Sequence, residues 1–157
     1  MRAQRYAIKV YNLRVTEANL PRGRIDSPEE AKGLLRAYFQ ALRDDRERFV
    51  ALALTAQNGL IGLAEISTGG VTGTLVDAKV LFRMLLVMGA TRFILSHNHP
   101  SGNSTPSKDD ILLTERICDA AQLLELDCLD HLIVGDGTND IVSFAETGRM
   151  NTASRRP

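Results

Sequence analysis

Two histidines stand two residues apart, His97 and His99, ahead of a loop that ends in Ser107 and Asp110. In an extended chain, side chains at i and i+2 point the same way, so both imidazoles can address one point. Pro100, Gly102 and Pro106 turn and stiffen the chain between. Asp110, on the first turn of a following helix, can return a carboxylate to the same place. Two imidazoles and one carboxylate with an open fourth position are a common catalytic zinc set. Zinc lowers the pKa of a bound water to about 7, which makes hydroxide at neutral pH. Each piece also has a plainer reading. H-x-H alone is a weak ligand signal. Ser107-x-x-Asp110 is also a helix start, in which Ser caps and Asp answers the helix dipole. The roles are compatible, because Asp110 has two carboxylate oxygens. What favours a metal site is the conjunction of all these residues after one apolar strand.

The elements that must position them can be read around this loop. Residues 91–96 (TRFILS) form a short apolar strand before it, and residues 108–125 form a helix after it, with Ile111, Leu112, Ile117, Ala120, Ala121 and Leu124 on its apolar side. Residues 127–134 (DCLDHLIV) are a strand, GDGTND is a turn, and IVSF is a last short strand. Upstream, Ser27, Pro28 and Glu30 mark a helix start with a capping box. Ala31, Leu34, Leu35, Tyr38, Phe39 and Leu42 line one face of that helix. Residues 47–55 and 60–67 are apolar runs around Gln57-Asn58-Gly59, which predicts a hairpin with a two-residue turn. Residues 77–89 read as a helix and 5–15 as a strand. The Gly-rich stretches at 69–73 and 135–137 fit turns and match no phosphate-binding fingerprint. Strands and helices mix without strict alternation, which gives an α/β or α+β class around one mixed sheet.

The chain has 157 residues, enough for one domain, with 19 basic and 19 acidic residues. That balance argues against a strong duplex-DNA binder, which usually shows a basic excess. Cys118 and Cys128 lie in apolar surroundings and are expected to be reduced thiols of a cytoplasmic protein. Met1 to Tyr11 lacks the apolar core of a signal peptide, and the apolar runs are far short of the ~20 residues of a membrane span.

HNHPSG followed by PSKDD resembles the JAMM motif of the JAB/MPN metalloprotease superfamily, in the form of its RadC-like subfamily. The resemblance continues through TGG and GTLV before the motif and through ILLTERICDAAQLLELDCLDHLIVGDG and VSFAETG after it, about residues 30–148. It implies an α/β fold with a mixed sheet flanked by helices, of the JAB/MPN, cytidine-deaminase-like kind; the chain itself reads as one domain over 1–148 and a disordered tail over 149–157. The resemblance implies zinc on His97, His99 and Asp110, and an upstream glutamate that polarises the catalytic water. Ser107 would steady the oxyanion of an attacked carbonyl. The implied activity is that of a zinc metallopeptidase acting on a peptide or protein, a ubiquitin-like tail among the candidates. The alternative is a RadC-type protein associated with DNA repair or mobile elements. Two departures weaken inferences about substrate. The chain is expected to lack the N-terminal helix-hairpin-helix module that RadC-like chains often carry, and Ala78-Lys79-Val80 stands where the subfamily usually has Pro-Arg-Glu.

Two glutamates compete for the role of base. With a two-residue turn, Gln57 pairs with Leu60 and Leu52 with Glu65, and paired residues share a face. Glu47 is an odd number of residues from Leu52, so it faces the other way. A bulge would flip this parity, so geometry alone does not decide. The resemblance of ERFVALAL to the strand that begins with the catalytic glutamate selects Glu47. His131 in DCLDHLIV has two readings as well: a strand histidine satisfied beside Asp130, which we favour, or a partner that orients a metal ligand.

Overall fold

The computed structural model describes residues 23–42, 45–69 and 76–150. The strand expected over 5–15, residues 70–75 of the expected Gly-rich loop, and residues 151–157 lie outside them. Helix α1 (Pro28–Leu42) starts where the capping box puts it. The Glu30 N–H donates to Ser27 Oγ (3.3 Å) and the Ser27 N–H to Glu30 Oε2 (3.1 Å), which satisfies two donors otherwise orphaned at a helix start. Ala31, Leu35 and Phe39 form its buried stripe at a spacing of four.

Strands β1 (Arg48–Leu54) and β2 (Leu60–Thr68) make the expected hairpin, with a different turn and register. Leu54, not Gln57, pairs with Leu60, and Glu65 pairs with Val50, not Leu52. The cause is Thr55. Its Oγ accepts the N–H of Gly59 (3.0 Å) and of Gln57 (3.3 Å), and its own N–H donates to Gly59 O (2.9 Å). These bonds widen the loop, Asn58 takes a left-handed φ of 62°, and the register shifts at two irregularities. Val50 and Leu52 have the same parity, so Glu47 and Glu65 still face opposite sides of the sheet.

Helix α2 (Ala78–Val87) leads into β3 (Arg92–His99). This strand runs three residues past the expected end, because β4 (Asp127–Gly135) pairs with it in parallel as far as His99↔Gly135. Both histidines are therefore strand residues, not loop residues. Helix α3 (Lys108–Leu123) connects β3 to β4, and β5 (Ile141–Ser143) closes the sheet. The strand order is β2-β1-β3-β4-β5, with β3 and β4 parallel and the other neighbours antiparallel.

Alternation along the strands divides the apolar residues between two faces. Phe49, Ala51, Ala53, Phe93 and Leu95 pack with Leu81, Phe82 and Leu85 of α2 and Ile117 and Ala121 of α3. Val50, Leu52, Leu54, Ile94, Leu132 and Val134 pack with α1 on the other face. The described residues thus form an α/β fold, a mixed five-stranded sheet with helices on both faces. A smaller cluster joins Cys118, Ile133, Phe144 and Met150, with Cys128 against it, and both cysteines are free. Among the described residues no helix is long and apolar enough to cross a membrane.

Candidate metal centre

Strand parity sets the site. His97 and His99 project to the face of β3 that carries Phe93 and Leu95, at its C-terminal end. His97 is buried, 1% exposed, and its ring stacks on Phe49 of β1 (centroids 5.7 Å apart, planes 14°). Asp110 approaches from the first turn of α3. Its Nε2 neighbours are His97, 3.2 Å from Oδ1, and His99, 3.6 Å from Oδ2, while the two Nε2 atoms are 3.0 Å apart. Ligands about 2.0–2.1 Å from a tetrahedral zinc stand about 3.3 Å from one another, so the three groups fit the ion. They form a His-His-Asp cluster able to hold a metal ion.

The surrounding bonds fix which nitrogens carry protons. His99 Nδ1 lies 2.7 Å from the Asn103 carbonyl, which can only accept, so Nδ1 is protonated and Nε2 offers a lone pair. For His97 the chain is longer. Thr114 Oγ donates to the Asp110 carbonyl (2.6 Å), which spends its one proton. Its contact with His131 Nδ1 (2.6 Å) must then be an N–H donated by His131. His131 Nε2 is left as an acceptor, 2.8 Å from His97 Nδ1, which donates. His97 Nε2 is therefore bare and faces the cluster. With neutral rings, two lone pairs and a carboxylate converge at 3.0 to 3.6 Å, an arrangement that a proton or a metal cation between them relieves.

His131 is fully buried, and burial together with the neighbouring His97 holds its pKa well below the ordinary value, so it stays neutral. His131 is thus a satisfied strand histidine, as favoured, and its ring also bonds His97, so the two sequence readings are compatible. Asp130 accepts the His131 backbone N–H (2.7 Å), the Ser143 hydroxyl and the Ala145 N–H, while the His131 ring serves His97. The strand pattern hides this, because partnership across β3 and β4 is a matter of register (Leu95↔His131). Thr114 and Asn103 were also missed. The one signal for Thr114 was its place four residues after Asp110, on the same helix face.

Asp110 makes the expected cap and also faces the two histidines. Oδ2 accepts the Ser107 N–H (2.7 Å) in a capping box whose other half is Asp110 N–H to Ser107 Oγ (3.1 Å), and Oδ1 faces His97. Burial pushes the Asp110 carboxyl up, but the His97 and His99 rings against it outweigh that and hold it well below the carboxylate range. The Asp110 carboxylate in turn raises His99, against its burial, with the Asn103 carbonyl and the charge of Glu47 adding to the rise.

Phe49 pairs with His97, and Glu47, two residues before Phe49, shares its parity, which turns it toward the face of the two histidines. Its carbonyl accepts the Gly69 N–H (2.8 Å). Glu65 sits on the far face, bonded by the Tyr38 hydroxyl of α1 and 3.8 Å from Arg48.

The loop after His99 is moored to the turn between β4 and β5. The His99 carbonyl accepts the N–H of Gly102 (3.0 Å) and of Asp136 (3.1 Å), and buried Ser104 donates to Asp140 (2.6 Å). Contact is so close that a Cβ on Gly135 would stand 2.2 Å from Gly102 O. Gly135 therefore has to be glycine for the loop to lie where it does.

Comparison with known proteins agrees with this geometry. A family model described as the RadC-like JAB domain matches residues 25–149. A UPF0758 protein of Microcystis aeruginosa is 42% identical over 113 residues, 72% of this chain and 46% of the relative. One from Desulforamulus reducens is 42% identical over 125 residues, 79% of this chain and 53% of the relative. A third, from Desulfitobacterium hafniense, is 35% identical over 142 residues, covering 90% and 61%. The chain spans about half the length of the first two relatives.

Proposed function

Because the chain belongs to the RadC-like JAB domain family, we propose that it is a zinc-dependent hydrolase cleaving a peptide or isopeptide-type amide. The observation that carries this reading is the convergence of His97 Nε2, His99 Nε2 and the Asp110 carboxylate at 3.0 to 3.6 Å. These three residues would hold the ion. When bound, zinc supplies Lewis acidity to a water and to the scissile carbonyl. Glu47, on the same face as the histidines, takes a proton from the attacking water and returns it to the departing amine nitrogen. Ser107 Oγ accepts from Asp110 N–H through a lone pair, so its own proton remains available to an oxyanion. His131 and Asn103 keep the two imidazoles aimed. The substrate is a peptide or protein segment, ubiquitin-like tails included, and the balance of 19 basic and 19 acidic residues leaves nucleic acid a weak partner at most.

Paired substitutions test the reading. Glu47→Gln should keep fold and zinc and lose hydrolysis by about 10²–10⁴-fold, the usual worth of a general base. Glu65→Gln should keep most activity. An active Glu47→Gln beside a dead Glu65→Gln reverses the assignment of the base. Metal analysis of His97→Ala and Asp110→Ala should find the ion lost, and full zinc in both variants rules the site out. Nickel or iron in the native protein would overturn the choice of zinc, since imidazole suits several metals.

A further inference from the structure

Asn98, between the two histidines, points to the opposite face and is 3% exposed. Its Oδ1 accepts the Arg48 N–H (2.8 Å), and its Nδ2 donates to the Arg46 carbonyl (3.0 Å) and to Asp136 Oδ2 (2.6 Å). The partners determine the amide's orientation, since an N–H needs the oxygen and a carbonyl needs the nitrogen. Arg46 and Arg48 flank Glu47. The paired residues of β1 and β3 end at Phe49↔His97, so the Asn98 side chain takes over where pairing stops. On the other edge, Gly69 N–H holds the Glu47 carbonyl.

We infer that Asn98 is a positioning residue for Glu47. By clamping the chain on both sides of Glu47, and being anchored in turn by Asp136 on the β4–β5 turn, it sets the Glu47 carboxylate against the cluster of His97, His99 and Asp110. One residue thus joins the strand that carries both histidines to the segment that carries the glutamate. A serine or alanine at this position leaves the Arg48 N–H and the Arg46 carbonyl without these partners. The catalytic consequence rests on the role proposed above for Glu47, whereas the clamp itself does not.

Three variants test it: Asn98→Ala, Asn98→Asp, and the exchange Asn98→Asp with Asp136→Asn. Asn98→Asp alone sets two carboxylates against each other. The exchange restores one donor–acceptor pair and keeps an acceptor for Arg48 N–H. The first readout needs no activity. Cobalt(II) is bound at the site, and its paramagnetic broadening of the Glu47 carboxyl carbon is measured by NMR. Broadening should be strong in the native protein, weaker in Asn98→Ala and Asn98→Asp, and partly restored in the exchange. The second readout is kinetic. With a peptide that the native enzyme cleaves, kcat should fall about 10²-fold in Asn98→Ala, the scale of a small misplacement, while KM and metal content hold. If no peptide is cleaved by the native protein, the proposed function falls and the broadening still decides the clamp. Native broadening in Asn98→Ala overturns the inference, as does native kcat in that variant. Asn98→Ser, which keeps a polar group in the buried position, carries the test if Asn98→Ala does not fold.

Discussion

Replacing His131 by Phe isolates what one buried hydrogen bond does for a metal site. Phe fits the aromatic surroundings, where the His131 ring lies 5.4 Å from that of Phe49 and 4.8 Å from that of Phe144. Thr114 keeps its bond to the Asp110 carbonyl. What disappears is the acceptor 2.8 Å from His97 Nδ1, on a ring that is 1% exposed. The His97 ring then has two options. It can keep its Nδ1–H unpaired, at a cost of about 1–3 kcal/mol. Or it can move the proton to Nε2, where it occupies the lone pair the metal needs. Without metal the second form is favoured, since Nε2–H can donate to Asp110, so metal binding must restore the unpaired Nδ1–H and is penalised by about 1–3 kcal/mol, or about 5–150-fold in affinity, overlapping the loss typical when partners of metal-bound histidines are removed. The assay is zinc competition against a chromophoric chelator, with circular dichroism to confirm folding. His131→Gln keeps an acceptor oxygen and should fall between native and Phe. If folded His131→Phe binds zinc as tightly as the native protein, or if Gln is no better than Phe, the reasoning is wrong.

Two further outcomes follow from the same geometry. Gly135→Ala should destabilise the fold by about 1–3 kcal/mol, as overpacking does, and weaken zinc binding, because the added Cβ meets Gly102 O three residues beyond His99; denaturant unfolding and chelator competition measure both. In the metal-free protein, Asp110 raises the proton affinity of His99 above that of an ordinary histidine at 6.5. The stabilisation this brings is present below 6.5 and is lost as pH rises through the folded value. The opposite holds for Asp110, whose lowered carboxyl contributes above its ordinary 3.8 and loses that contribution as pH falls. Zinc must displace the His99 proton, so its apparent affinity should fall as the medium is acidified from slightly alkaline to slightly acidic; a pH-independent affinity across that window would contradict the shift.

Much of the frame is legible in the chain because it depends on local patterns. Ser27 with Glu30, and Ser107 with Asp110, specify helix starts through bonds that span three residues. His97 and His99 share a face because strand geometry alternates, and Asp110 follows within one loop. Where the sequence reading failed, a local pattern met a nonlocal partner. Asn58-Gly59 suggested a two-residue turn, but the Thr55 hydroxyl captured the Gly59 N–H and shifted the register. The opposite facing of Glu47 and Glu65 survived, since the pairing moved by two residues and two is the period of a strand.

Sequence alone determined the types of the candidate ligands, their order and their convergence after one apolar strand, because spacing within a strand and across a helix cap is enough to aim side chains. It left undecided what holds those ligands in place. The bond from His97 to His131 joins residues 34 positions apart, and those from Asn98 to Arg46 and Asp136 span 52 and 38. Such contacts exist only once β1, β3 and β4 are side by side, and their register, not any property of a single segment, decides which buried polar atoms meet. Burial then makes each of those meetings obligatory, since a donor shut away from water must find an acceptor.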